Sequence, residues 1–177
     1  MSLPEIITTA RLRLRPARLD DAEPICTLWS DDPEVTRYLG WRPYRDVGLA
    51  RAFLTEAREG WAQRSRPLWG IELREERLLI GQIGAYVEGS RVMLGYVLAR
   101  AYWGRGYMTE AVKSVIGPAL ADPLIWRVWA VCDVENVASA RVMEKAGMQF
   151  EGRLRRWMVH PNVSDRPRDV FAYAKVR

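Results

Sequence analysis

Two glycines one residue apart, Gly104 and Gly106, separate an apolar run from a segment of helical composition. The run from Val92 to Leu98 predicts a strand, and the residues from Thr109 onward predict a helix. The first N–H groups of a helix have no partner within the helix and lie at the positive end of its dipole, and glycines let an anion approach that backbone closely. We therefore expect an anion site that can hold a diphosphate largely by main-chain groups.

Spacing separates this turn from two common nucleotide-binding loops. Thr109 stands where the third glycine of Gly-x-Gly-x-x-Gly belongs, and the Gly-Lys-Ser/Thr ending of a Walker loop is absent. A lone Gly-x-Gly before a helix is also compatible with an ordinary tight turn. A second patterned segment, from Asn136 to Gly152, gives independent information.

Together the two segments resemble the GNAT superfamily of N-acetyltransferases. The acetyl-coenzyme A loop of its ribosomal-protein N-terminal acetyltransferase (RimJ/RimL-like) branch is similar to Tyr102-Trp103-Gly104-Arg105-Gly106-Tyr107-Met108-Thr109-Glu110-Ala111. The family segment Asn-x-x-Ser-x-x-x-x-Glu-Lys-x-Gly-Phe-x-x-Glu-Gly is similar to residues 136–152. One departure is Ala101, which occupies the Gln/Arg position that opens the family's loop. The resemblance covers nearly the whole chain.

This resemblance implies acetyl-CoA as co-substrate, no metal, and direct attack of an amine on the thioester. Backbone N–H groups of Val97 and Leu98 would then polarise the thioester carbonyl, and Ser139 would donate a hydrogen bond to the leaving sulfur. Asn136 would hold the pantetheine arm, although its position before an apolar helix equally fits a helix N-cap. The expected coenzyme-binding residues are Val97, Leu98, Gly104, Arg105, Gly106, Tyr107, Met108, Thr109, Asn136 and Ser139.

The acceptor site and the general base are less constrained. In the family the region between the first two strands helps form the acceptor site, which makes Tyr38, Trp41 and Tyr44 candidates, together with Tyr96. The alternative is that these aromatic residues cover the sheet edge. Relatives of this branch use a glutamate as base at the position of Met158. The remaining candidates are Glu72, Glu88, Asp133, Glu135, Tyr96 and His160, and a water-mediated base or no dedicated base is also possible.

Composition limits the other possibilities. The 177 residues, 49% of them hydrophobic, suffice for one domain, residues 1–177, with a full core. No leader-like or membrane-spanning run stands out, so a cytoplasmic protein without a membrane partner is expected. Two cysteines and one histidine cannot form a typical zinc site, and both cysteines are expected to be reduced core residues.

The net charge of +5 is concentrated near the C-terminus. Residues 141–177 hold nine Lys or Arg against four Asp or Glu, and the rest of the chain is balanced. No aromatic–basic alternation or known nucleic-acid motif accompanies these charges, so nucleic-acid binding is not expected.

The pattern of apolar runs indicates an α+β fold. The predicted elements are a first strand from Thr9 to Arg15 with its arginines in solvent, helices starting near Asp20, Asp32 and Asp46, strands at 68–73, 79–87 and 92–98, a helix from Gly106 that breaks at Gly117-Pro118, a strand at 125–131, a helix at 136–146, and closing strands at 150–158 and 171–175. By resemblance this is a GNAT-type, mostly antiparallel, splayed sheet of six to seven strands flanked by four or five helices. The pantetheine arm is expected in the gap between residues 95–98 and 128–131.

These features favour an acetyl-CoA-dependent N-acetyltransferase whose acceptor is a protein N-terminal α-amine. A small-amine or antibiotic N-acetyltransferase is the alternative among enzymes. A non-catalytic CoA-binding or interaction protein of the same fold is the alternative outside them. The sequence is compatible with a monomer or a homodimer.

Overall fold

The computed structural model describes residues 3–177, which form one eight-stranded sheet covered by helices on both faces. The strands are β1 (Ile7–Thr8), β2 (Leu12–Pro16), β3 (Leu68–Leu73), β4 (Leu79–Glu88), β5 (Arg91–Leu98), β6 (Arg127–Asp133), β7 (Gln149–His160) and β8 (Ser164–Val176). The α-helices are α1 (Ala22–Ile25), α2 (Pro33–Thr36), α3 (Val47–Ala62), α4 (Tyr107–Ala121) and α5 (Val137–Lys145). A 3₁₀ turn (Leu19–Asp21) and a π turn (Cys26–Ser30) flank α1, and another 3₁₀ turn (Arg100–Tyr102) follows β5.

The predicted fold class and element order are confirmed. The spatial order is β1-β2-β3-β4-β5-β6-β8-β7, and every neighbouring pair is antiparallel except β5 and β6. The sheet has one strand more than the predicted maximum because the first predicted strand is a hairpin. Its short strand β1 pairs Ile7 with Leu14, and Thr9 N–H donates to the Leu12 carbonyl at the turn.

Each face of the sheet has its own apolar cluster. The larger cluster joins alternate residues of β5, such as Leu94 and Leu98, to the inner faces of α4 and α5. The smaller cluster lies on the opposite face, where Val97 packs near α1 and α3. Because side chains of a strand alternate between faces, a residue's cluster shows which face it occupies.

The prediction that the arginines of the first strand lie in solvent is wrong for Arg15. This side chain is only 4% exposed, and its guanidinium lies 2.7 Å from carboxylate oxygens of both Asp21 and Glu72. A buried charge is tolerated only when it is paired and hydrogen-bonded, and these two carboxylates provide that pairing. The alternation rule could not show that partners from the following turn and from β3 converge on Arg15.

The predicted helix break at Gly117-Pro118 is also wrong, because α4 continues to Ala121. An internal proline removes one helical hydrogen bond and costs about 3 kcal/mol. The residues around it, Val115, Ile116 and Ala119, are buried in the large cluster, and each fully buried aliphatic side chain contributes about 1.5–3 kcal/mol. Packing against the sheet therefore outweighs the local penalty.

The closing strands extend beyond their predicted bounds. β7 continues to His160, and β8 begins already at Ser164. The tip of this hairpin therefore reaches the loop after α2. There Asn162 Nδ2 donates to the carbonyls of Thr36 and Trp41 at 2.7 and 2.8 Å. Within residues 3–177, no helix is both long and apolar enough to cross a membrane.

Candidate active site

The glycine loop has the backbone geometry expected of an anion site. Gly104 and Gly106 have φ angles of +75° and +79°, in the left-handed region where other residues are strained. Gly106 is the N-cap of α4, and no side chain caps this helix end. The N–H groups of Tyr107, Met108 and Thr109 in the first turn are therefore available for a diphosphate. Their coenzyme role, like that of Arg105, stays a prediction.

The β1–β2 hairpin holds this loop in place, a role that no sequence motif predicted. Glu110, in the first turn of α4, accepts hydrogen bonds from Thr9 Oγ1 and Arg11 Nε, each at 2.7 Å. The Arg11 guanidinium also donates to the Arg105 carbonyl at 2.9 Å and lies 4.6 Å from the centre of the Tyr107 ring. Burial opposes ionisation of Glu110, but the bonds from Thr9 and Arg11 hold its pKa below the ordinary value.

The gap between β5 and β6 opens where their pairing ends. The two strands pair at three positions, Arg91 with Arg127, Val92 with Val128 and Met93 with Trp129. β5 remains paired with β4 as far as Leu98. The gap therefore lies between Leu94–Leu98 and the part of β6 after Trp129, slightly later on β6 than predicted.

Backbone directions distinguish the two predicted carbonyl donors. Ala99 N–H donates to the Ile80 carbonyl of β4 at 2.9 Å. Amide groups alternate along a strand, so the Val97 amide also faces β4 and the Leu98 N–H faces the gap. Of the two predicted donors to the thioester carbonyl, only the Leu98 N–H therefore remains.

Ser139 lies in the first turn of α5 beside the gap. Its N–H donates to Asn136 Oδ1 at 3.1 Å, which makes Asn136 the N-cap of this helix, and the predicted contact of Asn136 with pantetheine stays a prediction. Ser139 Oγ lies 2.8 Å from Tyr96 Oη. Burial raises the pKa of Tyr96, so its hydroxyl stays protonated and can donate to Ser139. Tyr96 Oη is also 3.3 Å from the Ser139 carbonyl oxygen; when it donates to Ser139 Oγ instead, the Ser139 proton is free for another acceptor.

Cys132 is buried at the end of β6, close to Ser139. Burial raises the pKa of its thiol to about 11, so the group is a neutral thiol at neutral pH. Cys26, the other cysteine, is half-buried, so only Cys132 is a core residue as predicted, and the reduced state of both stays a prediction.

The aromatic acceptor candidates divide into three environments. The rings of Trp41 and Tyr44 are tilted by 56° with their centres 5.4 Å apart, and both pack against the smaller apolar cluster. Tyr38 stands edge-on to His160 with ring centres 6.3 Å apart. Tyr96 points to the opposite face, towards α5, where it contacts Ser139. Tyr96 therefore lies with Ser139, the residue predicted to contact the leaving sulfur, and apart from the other three aromatic candidates.

The candidate bases differ in what they contact. Four carboxylates are ion-paired with arginines: Glu72 with Arg15 at 2.7 Å, Glu88 with Arg91 at 3.1 Å, Asp133 with Arg168 at 2.6 Å and Glu135 with Arg168 at 2.9 Å. Burial opposes ionisation of Asp133, yet the hydrogen bond from Arg168 holds its pKa below the ordinary value. Tyr96 keeps its proton, as stated above. Burial lowers the pKa of His160 below the ordinary value of 6.5, so its ring is neutral at neutral pH.

The C-terminal arginines are partly neutralised. Arg153 pairs with Asp169 at 2.6 Å, and Arg168 pairs with Asp133 and Glu135. Arg155 and Arg166 are exposed. Residues 3–177 contain no group of three or more His, Cys, Asp or Glu side chains that could hold a metal ion.

Two N-acetyltransferases are similar to this chain in sequence. The N-acetyltransferase p20 of Bacillus licheniformis, described as uncharacterised, is 33% identical over 154 residues, 85% of this chain and 86% of the relative. The N-acetyltransferase YoaA of Bacillus subtilis, also described as uncharacterised, is 31% identical over 175 residues, 97% of this chain and 98% of the relative.

Solved structures share the fold along its full length. An acetyltransferase (GNAT family) from Bacillus anthracis has 25% identity and a TM-score of 0.83, covering 97% of this chain and 98% of that chain. RimL, a ribosomal L7/L12 α-N-protein acetyltransferase solved with coenzyme A, has 20% identity and a TM-score of 0.87 with the same coverage. Residues 11–149 match the acetyltransferase (GNAT) domain family, and the chain therefore belongs to the GNAT family of N-acetyltransferases, which use acetyl-CoA.

Proposed function

We propose that this N-acetyltransferase transfers the acetyl group to the α-amine of a protein N-terminus. The supporting observation is that the carboxylates considered as bases are all ion-paired with arginines. An acceptor must lose a proton before it attacks the thioester, and these carboxylates are poorly placed to remove it. The best acceptor is therefore an amine that is easily deprotonated.

The two amines of proteins differ strongly in this respect. An α-amine has a pKa of about 7.7–8.0, whereas a lysine side chain has a pKa of about 10.4. The difference corresponds to about 3.5 kcal/mol of deprotonation free energy. An enzyme without a strong base should consequently prefer the α-amine.

Two further observations support the proposal. The chain shares its fold with RimL, described as an α-N-protein acetyltransferase, although at 20% identity. Exposed Arg155 and Arg166 on the C-terminal hairpin would attract acidic residues that follow the acceptor amine. We expect this attraction to weaken as salt rises, because exposed charges are screened.

The test compares two matched peptides with acetyl-CoA at pH 7, each with acidic residues near the acceptor. One peptide has a free N-terminus and no lysine, and the other has a blocked N-terminus and one internal lysine. We expect the first to be acetylated at least tenfold faster, with rates that fall between low and high salt.

Three results would count against the proposal in different ways. Faster acetylation of the lysine peptide would show that a strong base operates. Salt-independent rates would show that the hairpin arginines do not face the acceptor. Transfer to polyamines or aminoglycosides, with neither peptide acetylated, would favour a small-amine or antibiotic acetyltransferase. The last possibility has a structural neighbour in MccE, a self-immunity acetyltransferase solved with acetyl-CoA and AMP at 19% identity and a TM-score of 0.86.

A further inference from the structure

Within residues 3–177, three buried side-chain atoms lack a hydrogen-bond partner, namely Gln82 Nε2 and both ring nitrogens of His160. Gln82 is 4% exposed and His160 is 2% exposed. Leaving a buried polar group unpaired is costly, so such a group calls for an explanation, and a ligand that pairs with it is one. Both residues lie outside the coenzyme site described above.

Gln82 lies on the α1–α3 face of the sheet, beside the end of β5. It is the direct cross-strand partner of Val97, so the two side chains share a face. Val97 packs in the smaller cluster with α1 and α3, whereas its neighbour Leu98 packs in the larger one. The unpaired amide of Gln82 is thus next to the strand that borders the gap.

His160 lies on the same face but beyond β6. Its Nε2 is 3.7 Å from Asp133 Oδ2, and its ring stands edge-on to Tyr38 in the loop after α2. Cys132 belongs to the cluster on the α4–α5 face, so Asp133, the next residue along the strand, points to the opposite face. The ring also lies near the Tyr38 backbone, but neither nitrogen makes a hydrogen bond of normal geometry.

The two unpaired residues therefore flank the gap from opposite sides. Gln82 is on β4, one strand before the gap, and His160 contacts Asp133 on β6, the strand after it. Ser139 and Tyr96, the groups expected to meet the leaving thiolate, belong to the α4–α5 face. Gln82 and His160 lie on the opposite face. An amine that attacks the thioester from the α1–α3 face would enter between Gln82 and His160.

We propose that Gln82 and His160 are acceptor-binding residues, with the Gln82 amide donating to a carbonyl oxygen of the acceptor and His160 accepting a hydrogen bond from its amine. This inference deepens the proposed function and depends on it. An imidazole that is neutral at neutral pH has one nitrogen that can accept from an amine N–H. A side-chain amide donor matches an oxygen close to that amine, as in the first peptide group of a protein N-terminus. A simple alkylamine lacks that oxygen.

The test uses Gln82→Met, which keeps the length of the side chain and removes its amide. The control is Gln149→Met, because Gln149 is exposed at the start of β7. With acetyl-CoA and a lysine-free peptide with a free N-terminus, we expect Gln82→Met to raise the peptide KM about tenfold, the effect of one lost hydrogen bond. Its thermal midpoint should be unchanged or higher, since an unpaired buried amide is removed, and its stabilisation by acetyl-CoA should be unchanged.

A second variant tests the other side of the gap. We expect His160→Leu to lower kcat/KM for the peptide by about tenfold or more, again with normal stabilisation by acetyl-CoA. The variant His160→Gln should restore part of this loss, because a glutamine can still accept a hydrogen bond. A merely structural role of His160 would instead lower the thermal midpoint without affecting peptide kinetics.

The outcomes separate this inference from the proposed function. If the wild-type protein acetylates the peptide and Gln82→Met does so with an unchanged KM, the inference is overturned and the function stands. If Gln82→Met lowers the thermal midpoint, the amide is satisfied within the protein and the inference is also overturned. If the wild-type protein binds acetyl-CoA but acetylates no N-terminus, the proposed function and the inference both fail.

Discussion

Ser139 makes two separate hydrogen bonds that place its hydroxyl at the gap. Its N–H is fixed by Asn136, and its Oγ lies 2.8 Å from the hydroxyl of Tyr96. When the Tyr96 hydroxyl donates to Ser139 Oγ, the Ser139 proton is directed away from Tyr96 and can point towards the gap. A hydroxyl held in this way needs little reorganisation when a thiolate develops nearby.

We predict that Ser139→Ala lowers turnover about tenfold to a hundredfold, which corresponds to a hydrogen bond to charge of about 1.5–3 kcal/mol. Acetyl-CoA affinity should change little, since the bond strengthens mainly in the transition state. Steady-state kinetics at saturating substrates give the first quantity, and thermal stabilisation by acetyl-CoA gives the second. A matched control is Ser114→Ala, because Ser114 Oγ bonds only within α4, to the Ala111 carbonyl. Unchanged turnover in Ser139→Ala would remove Ser139 from the mechanism, provided that chemistry limits the rate.

His160 gives the stability of the protein a distinctive pH dependence. It is the only histidine in the chain, and burial lowers its pKa from the ordinary value of 6.5. As pH falls below about 6.5, the unfolded chain binds a proton that the native protein does not yet bind, so the free energy of unfolding decreases. Asp133 makes a contribution of the same direction, but only below the pKa of an unfolded aspartate, about 3.9.

We therefore predict a loss of stability between pH 6.5 and 5 with a slope of at most about 1.4 kcal/mol per pH unit, the value for one proton. Urea unfolding at several pH values measures this slope. In His160→Leu the slope should be nearly flat in the upper part of this range, because glutamates with ordinary pKa values of about 4.3 begin to take up protons only near pH 5. An unchanged slope in the variant would show that the imidazole is not the group responsible.

At the scale of elements, the glycine loop and α4 depend on backbone conformation more than on side-chain contacts. A Cβ on Gly104 would have nothing within 4 Å, and yet both loop glycines have positive φ. Gly117, in the middle of α4, also has open space around its Cα but does not have a positive φ. Gly104 and Gly117 therefore differ in backbone conformation and not in the space that surrounds them beyond their chain neighbours.

We predict different effects of substitution at these sites. Gly104→Val and Gly106→Val should abolish stabilisation by acetyl-CoA, because a β-branched residue opposes the left-handed turn that directs the loop amides. Gly117→Ala should leave coenzyme binding unchanged, but it should not give the ordinary stability gain of a helix interior, because Pro118 follows and a Cβ at residue 117 opposes the helical conformation before a proline. Thermal denaturation with and without acetyl-CoA tests both. Normal stabilisation of Gly106→Val by acetyl-CoA would show that this turn does not form the diphosphate site.

Local patterns predicted most elements because they depend on signals within a few residues. The loop, the N-cap at Asn136 and the alternating strands are of this kind. The errors have tertiary causes that no short window contains. Arg15 is buried because carboxylates from two other elements surround it, and Pro118 stays helical because the helix packs on the sheet. Arg11 was missed for the same reason, since its partner Glu110 is 99 residues away along the chain.

The residues of the candidate site also differ in whether a local sequence pattern or only a tertiary contact reveals them. Sequence resemblance predicts Gly104, Gly106 and Ser139 as site residues, because they belong to short recurring segments. Gln82 gave no signal, because it is one polar residue in an apolar strand and only the structure shows that its amide is buried and unpaired. His160 was one of six candidate bases, and the structure distinguishes it by the ion pairs that occupy the four carboxylates.

At the scale of the whole molecule, the gap connects the two faces of the sheet. The loop and the first turn of α5 lie at its α4–α5 side, and the proposed acceptor residues lie at the other. A coenzyme that crosses the gap would contact the two strands where they no longer pair with each other, β5 after Met93 and β6 after Trp129. Coenzyme binding should therefore raise the free energy of global unfolding and not only order the loop.

This arrangement predicts how ligands stabilise the protein. A ligand that binds only the native state stabilises it by about 2.7 kcal/mol at a concentration of one hundred times its dissociation constant. At equal concentrations we expect acetyl-CoA to raise the thermal midpoint clearly more than 3′-phosphoadenosine 5′-diphosphate, which has the same phosphate groups, with extra negative charge on the terminal one, but lacks the pantetheine arm. The charged groups should engage the loop in both cases, so the difference isolates the contribution of the arm. Equal stabilisation by the two ligands would mean that the arm makes no net contact with β5 or β6 and that the gap is not its binding site.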